Sequence, residues 1–203
     1  MAVSLQQWQN MISQAADLLS ANVEYLSRID ALIGDGDHGV TIGKIAHLMK
    51  EKSGEAFESA PDFFEDMGQA VLNVQGGSAG PLWGVFIMGM GEAEAGAPVS
   101  EVFSSGLEGL REISGAGVGD KTMMDALIPG VEAMLAADGD RASLSAGAAA
   151  AAKGADDTVG YAAKFGRAKN YGEKSIGVKD AGACSMALFF EGVHSGYAET
   201  PKD

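Results

Sequence analysis

The chain has 203 residues, of which 46% are hydrophobic and 7% aromatic, and its formal net charge at pH 7 is −14. This length suits one domain with a substantial core, so we expect residues 1–203 to form a single domain. The acidic balance argues against nucleic acid and anionic membrane surfaces as partners, because binding either requires a basic face. Cys184 is the one cysteine, which excludes a disulfide within the chain.

Targeting signals are not evident in the sequence. The first residues lack a basic segment followed by an apolar run, so no signal peptide is predicted. No apolar run approaches the ~18 residues that a membrane span needs. A lone cysteine in an apolar stretch is typical of a buried side chain in a reducing compartment. We therefore expect a cytoplasmic protein.

An all-α fold is predicted by the apolar residues, which recur at three- and four-residue steps almost throughout, without β-alternation. A capping box of Ser4 and Gln7 opens the first helix, whose apolar face continues to Leu26. Later helices are expected at 40–52, from Pro61 onward, at 82–95, after Pro98, at 121–137, at 144–165 and at 182–196. The result is about eight antiparallel helices in a bundle or closed barrel, with the functional loops at one end.

The segment after the first helix, residues 30–39, reads DALIGDGDHG and holds three carboxylates, Asp30, Asp35 and Asp37. Close carboxylates repel each other and a hard cation removes that repulsion, so oxygen-only ligation predicts Mg²⁺ or Mn²⁺. The alternative is a solvated Asp/Gly turn that caps the next helix. The segment also matches G-x-G-x-x-G, but no buried strand precedes it, which argues against a dinucleotide fingerprint. His38 is a candidate phosphate contact or acid.

Two further glycine-rich loops lead into predicted helices, GGSAG at 76–80 and GDKT at 119–122. Free backbone N–H groups at a helix N-terminus attract anions, so both loops are candidate phosphate contacts. Lys121 would add a cation and Thr122 a hydroxyl. Either loop could instead be a plain helix start, with Ser78 as a cap or Asp120 compensating the helix dipole.

A long polar loop at 166–182 separates two apolar helices and carries four cations, Arg167, Lys169, Lys174 and Lys179. Local positive charge in an acidic protein is typical of a phosphate or nucleotide clamp. A loop of this length in a compact domain is usually either functional or disordered. We interpret it as functional.

Together these segments resemble the L subunit of dihydroxyacetone kinase, the nucleotide-binding half of that enzyme. The matching residues are Asp30 with GDGDHG at 34–39, GGSAGPL at 76–82, GDKTM at 119–123 with Asp125, and GRA at 166–168, SIG at 175–177 and DAGA at 180–183. They span nearly the whole chain in order, which argues against chance agreement.

The resemblance implies an eight-helix barrel that holds ADP or ATP at one end through two Mg²⁺ ions, with Asp30, Asp35 and Asp37 as the metal ligands. The residues implied to line the nucleotide are His38, Gly39, Val40, Thr41, Ser78, Ala79, Gly119, Arg167, Asp180, Ala181 and Gly182, and we add Thr122 for its hydroxyl. The implied reaction is phosphoryl transfer by positioning and charge neutralisation, carried by the three aspartates and Arg167. Among the methionines, Met88, Met90, Met123, Met124 and Met134 favour core filling or a soft wall against adenine.

The resemblance also implies a partner, because in this family a separate K subunit or a fused K domain holds the ketose through a histidine. The donor could be exchangeable ATP, or a tightly held ADP that a phosphotransferase-system protein recharges. The ketose could be dihydroxyacetone or a tetrulose. A non-catalytic Mg-nucleotide sensor or regulatory module is the alternative function, and a helical structural protein is the third.

Two loops depart from the family pattern. The family's second loop usually reads GGASG, whereas Ser78 and Ala79 stand in the opposite order here. Before the last helix the family often has HQDPG, and this chain has VKDAG at 178–182, with Lys174 where an arginine is often found. These exchanges concern the contacts to phosphate and adenine, and the three aspartates are intact.

Overall fold

A computed structural model of the protein describes residues 3–199. Within that range lie nine α-helices and two 3-10 helices, and no strand. The α-helices are α1 (Leu5–Ala21), α2 (Val23–Asp30), α3 (His38–Lys52), α4 (Ala60–Leu72), α5 (Ala79–Gly91), α6 (Val99–Ser114), α7 (Met124–Ala136), α8 (Asp140–Asp157) and α9 (Ala181–Glu199). The 3-10 helices are Thr158–Gly160 and Ala168–Ser175. The prediction of an all-α fold is confirmed.

Eight of these helices form a closed ring. From α3 to α9 each helix packs against the next in chain order, and α9 and α3 both pack against α1. The short helix α2 lies beside the ring, against α3 and α9. Of the two architectures that the sequence left open, the chain therefore adopts the closed helical barrel. None of the described helices has the length and apolar character needed to cross a membrane.

Aromatic side chains from three helices meet inside the barrel. Trp83 and Phe86 of α5, Phe103 of α6, and Phe189 and Phe190 of α9 contact one another with ring centroids 5.0–6.4 Å apart. Each of the five is almost completely buried. Burying a large apolar side chain contributes roughly 1.5–3 kcal/mol, so this cluster is a major source of the barrel's stability.

The first predicted helix is two helices, which accounts for nine where about eight were expected. The break is at Asn22, whose side-chain amide donates to the carbonyl of Leu18 at 2.8 Å. A side chain that bonds the backbone competes with the helix and ends it locally. The capping box of Ser4 and Gln7 is present as predicted.

Several other predicted helix ends were wrong, and three of them have a local reason. Helix α8 ends at Asp157 rather than Phe165, because the Thr158 hydroxyl donates to a carbonyl of the last turn and a 3-10 turn follows. Helix α5 begins at Ala79 rather than Leu82, because a proline in the first turn, Pro81, costs no helix hydrogen bond. Helix α7 begins at Met124 rather than Lys121, because Lys121 has a φ of 62°.

Candidate functional site

A cleft of about 550 Å³ opens at one end of the barrel, where the loops between helices meet. Its lining residues belong to the segments 30–38, 76–83, 113–116, 121–123, 165–168 and 180–182. These segments include parts of all four motifs singled out in the sequence. Ring closure therefore brings together residues as far apart along the chain as Asp30 and Gly182.

The three predicted metal ligands converge at the cleft. Asp30 is the last residue of α2, Asp37 precedes α3, and Asp35 lies in the turn between them, where Gly36 has a φ of 77°. One carboxylate oxygen from each lies within 4.8 Å of the others. Oxygen ligands at this spacing suit a hard divalent cation such as Mg²⁺ or Mn²⁺.

The charge of this cluster also suits a cation. Asp35 forms an ion pair with Arg167, and one oxygen of Asp30 accepts the backbone N–H of His38 at 3.3 Å. Three carboxylates and one guanidinium leave two negative charges in excess. Because like charges at short range disfavour ionisation, a bound divalent cation would stabilise the ionised cluster.

Gly34 supports the cluster in a way that the sequence analysis did not anticipate. Its N–H donates to the Asp30 carbonyl at 2.6 Å, and a Cβ at this position would lie 2.4 Å from Oδ1 of Asp30. A methyl group there would push the carboxylate oxygen out of place.

Replacing Gly34 by alanine should therefore lower the affinity for Mn²⁺ about tenfold, which is about 1.4 kcal/mol. The nearest atom is the end of a flexible side chain and the Asp30 carbonyl oxygen is 3.0 Å away, so the fold should accept the methyl while the ligand oxygen shifts. Electron paramagnetic resonance of free Mn²⁺ measures the affinity. Gly160→Ala is the control, because a Cβ there meets nothing within 4 Å; equal affinities in the two variants would contradict the prediction.

Arg167 is the one cation of the polar loop that lines the cleft. It follows Gly166, which has a φ of 60°, and its half-exposed guanidinium reaches across to Asp35. Lys179 instead pairs with Asp156 on the outside of the barrel. The four-cation clamp predicted from the sequence is thus reduced at the cleft to a single arginine.

The glycine loop before α5 lies on the cleft as predicted, with Ser78 and Ala79 in the lining. Gly76 has a φ of 145°, and a Cβ there would lie 2.0 Å from the Thr41 hydroxyl oxygen. The loop therefore packs directly on α3. Thr41 packs against Gly76 of this loop and does not line the cleft.

Three other predicted nucleotide contacts lie away from the cleft lining. Gly39 is a packing residue, because a Cβ there would lie 2.1 Å from the Val23 carbonyl of α2. Val40 is exposed, and Gly119 donates its N–H to Asp125 Oδ1 at 2.6 Å. Nucleotide contacts from these residues and from Thr41 stay predictions.

His38 is a hydrogen-bonded residue at the start of α3. Its Nε2 lies 3.0 Å from the Ser185 hydroxyl, which donates to the Gly182 carbonyl at 2.9 Å. The hydroxyl therefore accepts from an Nε2–H. Burial lowers the pKa of His38, although the Asp30 charge and a hydrogen bond to the Ala181 backbone oppose the shift.

Two hydrogen-bonded carboxylates lie at the cleft: Asp125 is buried behind its lining, and Asp180 is part of the lining. The carboxylate of Asp125 accepts the N–H groups of Gly119 and Thr122, at 2.6 and 2.7 Å, and so caps α7. Asp180 caps α9 by accepting the N–H of Ala183 at 2.7 Å. The capping role of Asp125 was readable from the sequence, as an Asp three residues after Thr122, but was missed.

Burial raises the pKa of the Asp180 carboxyl to about 7. Since the unfolded chain titrates near pH 4, the folded state binds the extra proton between about pH 4 and pH 7. The free energy of unfolding should therefore fall as the pH rises through this window, by about 4 kcal/mol from this residue alone.

In metal-free buffer, Asp180→Asn should lose this contribution to the pH dependence, and urea unfolding from pH 5 to pH 8 measures it. Asp17→Asn, at an exposed residue of α1, is the control and should keep the wild-type dependence. Parallel curves for wild type and Asp180→Asn would refute the assignment.

The cleft also has an apolar side, of which the sequence analysis considered only Met123. Its members are Leu82, Trp83, Ile113, Ala116, Met123 and Phe165. Ile113 and Phe165 are large apolar residues with more than a third of their surface exposed. Of the five methionines considered, Met123 alone lines the cleft. Such a surface suits a flat apolar group such as a nucleobase.

Comparison with known proteins agrees with this arrangement. The family model for the DAK2 domain matches residues 32–195. The ADP-binding subunit DhaL of the PEP-dependent dihydroxyacetone kinase of Escherichia coli (strain K12) is 30% identical over 202 residues, which cover 94% of this chain and 96% of that protein. The L-erythrulose kinase of Pectobacterium atrosepticum is 33% identical over 195 residues, which cover 90% of this chain and 33% of that enzyme.

A solved structure shares the fold. The crystal structure of the dihydroxyacetone kinase from C. freundii in complex with AMP-PNP and Mg²⁺ has a TM-score of 0.77 and 29% sequence identity, and the match covers 93% of this chain and 33% of that one. The chain thus spans about a third of the length of that kinase and of the erythrulose kinase. The family match and the near full-length similarity to DhaL confirm the resemblance: the chain belongs to the DAK2-domain family, with the DhaL-type ADP-binding subunits of dihydroxyacetone kinase.

Proposed function

We propose that this chain is the nucleotide-binding subunit of a short-ketose kinase. It would hold Mg-ADP or Mg-ATP in the cleft and donate the phosphoryl group to dihydroxyacetone, or a related ketose, on a separate K-type subunit. The observation that carries the proposal is the convergence of Asp30, Asp35 and Asp37 beside Arg167 at the mouth of the cleft. Phosphoryl transfer needs little more from a protein than positioning and charge neutralisation.

The three aspartates would hold two Mg²⁺ ions between the protein and the phosphates. When bound, the metal neutralises phosphate charge and bridges phosphate to carboxylate oxygens. The excess negative charge of the cluster supports this assignment, as does the Mg²⁺ present with AMP-PNP in the crystal structure of the C. freundii enzyme. The count of two ions follows from the family resemblance.

The chain's other cleft residues would bind and orient the nucleotide. Ser78 and Ala79 at the start of α5, and Ala181 and Gly182 at the start of α9, line the cleft, and their backbone N–H groups would donate to phosphate oxygens. Arg167 would contact the transferred phosphate. The apolar side of the cleft would take the adenine, and Thr122 would add a hydroxyl beside it.

A protein partner is supported by the distribution of exposed apolar side chains. Eight large exposed ones lie within six positions, along the sequence, of a residue that lines the cleft: Leu32, Val40, Ile113, Val118, Val159, Phe165, Tyr171 and Ile176. Exposed apolar residues concentrated on one face are typical of an interaction surface. We infer that the K-type subunit docks over this end and presents the ketose to the phosphate.

The phosphoryl donor and the ketose each have two candidates. Relatives named as PEP-dependent or PTS-dependent subunits favour a bound ADP that a phosphotransferase-system protein recharges. Exchangeable ATP is the alternative, and ADP that is lost on desalting would support it. Erythrulose kinases are as similar to this chain as the dihydroxyacetone kinase subunits are, so a tetrulose is the second ketose candidate.

The buried Cys184, which forms no disulfide, suits a cytoplasmic location.

Calorimetric titration with ADP, once with Mg²⁺ and once with EDTA, tests the proposal first. We expect binding that requires Mg²⁺. Addition of a K-type subunit from a related kinase, with ATP and dihydroxyacetone or erythrulose, should then yield the sugar phosphate. Binding without transfer to either sugar would favour a nucleotide sensor or regulatory module, and no binding by the folded, nucleotide-free chain would reject a nucleotide function.

A further inference from the structure

We propose that Lys121 is a positioning residue for phosphoryl transfer. Its buried side-chain amine joins the loop before α7 to the end of α8 and to the segment before α9, and so holds the cleft residues of α9 and the loop of Arg167 in place. The inference rests on the function proposed above and assigns to this lysine a role distinct from direct phosphate contact.

The backbone of Lys121 is the first observation. Its φ of 62° is the one positive value at a non-glycine residue within residues 3–199. Glycine adopts this conformation freely, whereas a residue with a Cβ is strained in it. Strain at a single residue is retained when the surrounding structure gains from that side chain.

The side chain of Lys121 is almost completely buried, with 1% of the residue exposed. Its Nζ donates to the carbonyl of Thr158 at 2.5 Å and also to the carbonyl of Val178. Thr158 directly follows the last residue of α8, and Val178 lies two residues before Asp180. The amine therefore bridges two segments that are twenty residues apart in the chain.

These contacts belong to a wider set that fixes the start of α9. The Thr158 hydroxyl accepts the N–H of Asp180 at 2.9 Å, and the Val159 carbonyl accepts the N–H of Gly177 at 2.8 Å. Both bonds run between the same two segments that Lys121 bridges. Asp180, Ala181 and Gly182, which line the cleft, follow directly from this junction.

The loop of Arg167 is held on both sides by neighbouring residues, Asp120 and Lys121. The Asp120 carboxylate pairs with Lys164 at 2.7 Å, and its carbonyl accepts the Lys164 N–H at 3.2 Å. Lys121 bonds Val178 on the other side of Arg167. The loop before α7, through Asp120 and Lys121, therefore positions the Arg167 guanidinium relative to the three aspartates of the metal cluster.

The charge around the amine explains why a lysine can be kept at a buried position. The carboxylates of Asp125 and Asp180 lie close enough to favour its ionised form, against the effect of burial, which lowers the pKa of Lys121. An apolar residue would leave the Thr158 and Val178 carbonyls without this donor. Loss of a buried partner is costly, so the segments would rearrange.

Lys121→Gly and Lys121→Met test the role. Both remove the donor, and the glycine variant also relieves the backbone strain, which favours its folding. We expect kcat for ketose phosphorylation to fall about 10²-fold, the effect of misplacing groups by about 1 Å, with little change in the KM for the ketose. Circular dichroism and thermal melting check the fold, and Lys50→Met, which removes an exposed ion pair with Asp17, is the control and should act as wild type.

Chemical rescue separates positioning by the amine from simple space filling. With Lys121→Gly, n-butylammonium should restore part of kcat, whereas n-butanol of similar size should not. A wild-type kcat in Lys121→Gly, equal rescue by the alcohol, or failure of Lys121→Gly to fold would each overturn the inference. Wild-type chain that binds no Mg-ADP would overturn the proposed function itself, so the two failures are distinguishable.

Discussion

Asp37→Asn should abolish Mg²⁺-dependent ADP binding while the barrel stays folded. Mutation of groups that merely support metal ligands costs 10- to 100-fold in affinity, so loss of a ligand should cost more than about 10²-fold. The three carboxylates lie within 4.8 Å of one another and face a single guanidinium. Asparagine keeps the size and one oxygen but removes the negative charge that a divalent cation requires.

The same substitution should not weaken the metal-free protein. Replacing one of three close carboxylates by a neutral amide relieves repulsion, so the melting temperature in EDTA should equal or exceed that of wild type. Asp37 is the better choice for this comparison, because Asp35 would also lose its ion pair with Arg167. A gain in stability with a loss of function is the pattern expected of residues kept for binding.

Calorimetry with ADP and Mg²⁺ and melting in EDTA measure the two effects. Asp66→Asn is the matched control, since Asp66 is an exposed carboxylate of α4 that pairs with Lys52. It should bind Mg-ADP as wild type does. Undiminished Mg-ADP affinity in both Asp37→Asn and Asp35→Asn would remove the basis for the metal assignment.

Arg167→Ala should lower the rate of phosphoryl transfer by about 10³-fold, the lower range for an arginine that stabilises the charge of a transferred phosphoryl group. Stability should change little, because the ion pair with Asp35 is partly exposed and such pairs contribute about 0–1 kcal/mol. Mg-ADP affinity should fall much less than the rate. The guanidinium is expected to act mostly on the transition state.

Single-turnover transfer with a K-type subunit measures this effect apart from product release. Arg167→Lys should recover only a small part of the rate, because an ammonium cannot replace the two-pronged contact of a guanidinium with phosphate. Lys169→Ala is the control, at a residue of the same loop that does not line the cleft. A wild-type rate in Arg167→Ala would mean that this residue only pairs with Asp35.

Much of the fold was readable from local sequence because its causes are local. Apolar residues at three- and four-residue steps, the Ser4–Gln7 capping box and the glycine-rich breaks each act within a few positions. The predicted all-α barrel is confirmed for this reason. The errors at Asn22 and Thr158 came from side chains that bond the backbone and end helices, which periodicity does not reveal.

The acidic part of the candidate site was also predictable, because Asp30, Asp35 and Asp37 lie within one short turn. A glycine-spaced turn can bring nearby side chains together without any contribution from the rest of the chain. That Arg167 lies beside these three aspartates was implied only by the family resemblance. The structure supports it by closing the ring, which brings the segment before α9 against the start of α3.

The sequence by itself thus determined the helical fold, the acidic turn and the loops that could bind phosphate. Tertiary structure alone decided which candidates reach the cleft, since Gly39 and Thr41 are used in packing and Ile113 and Phe165 form an apolar side. It also turned Lys121 from a candidate phosphate contact into a buried residue that joins distant segments. The physical reason is that helices and turns depend on neighbours in sequence, whereas burial and side-chain partners depend on which helices meet when the barrel closes.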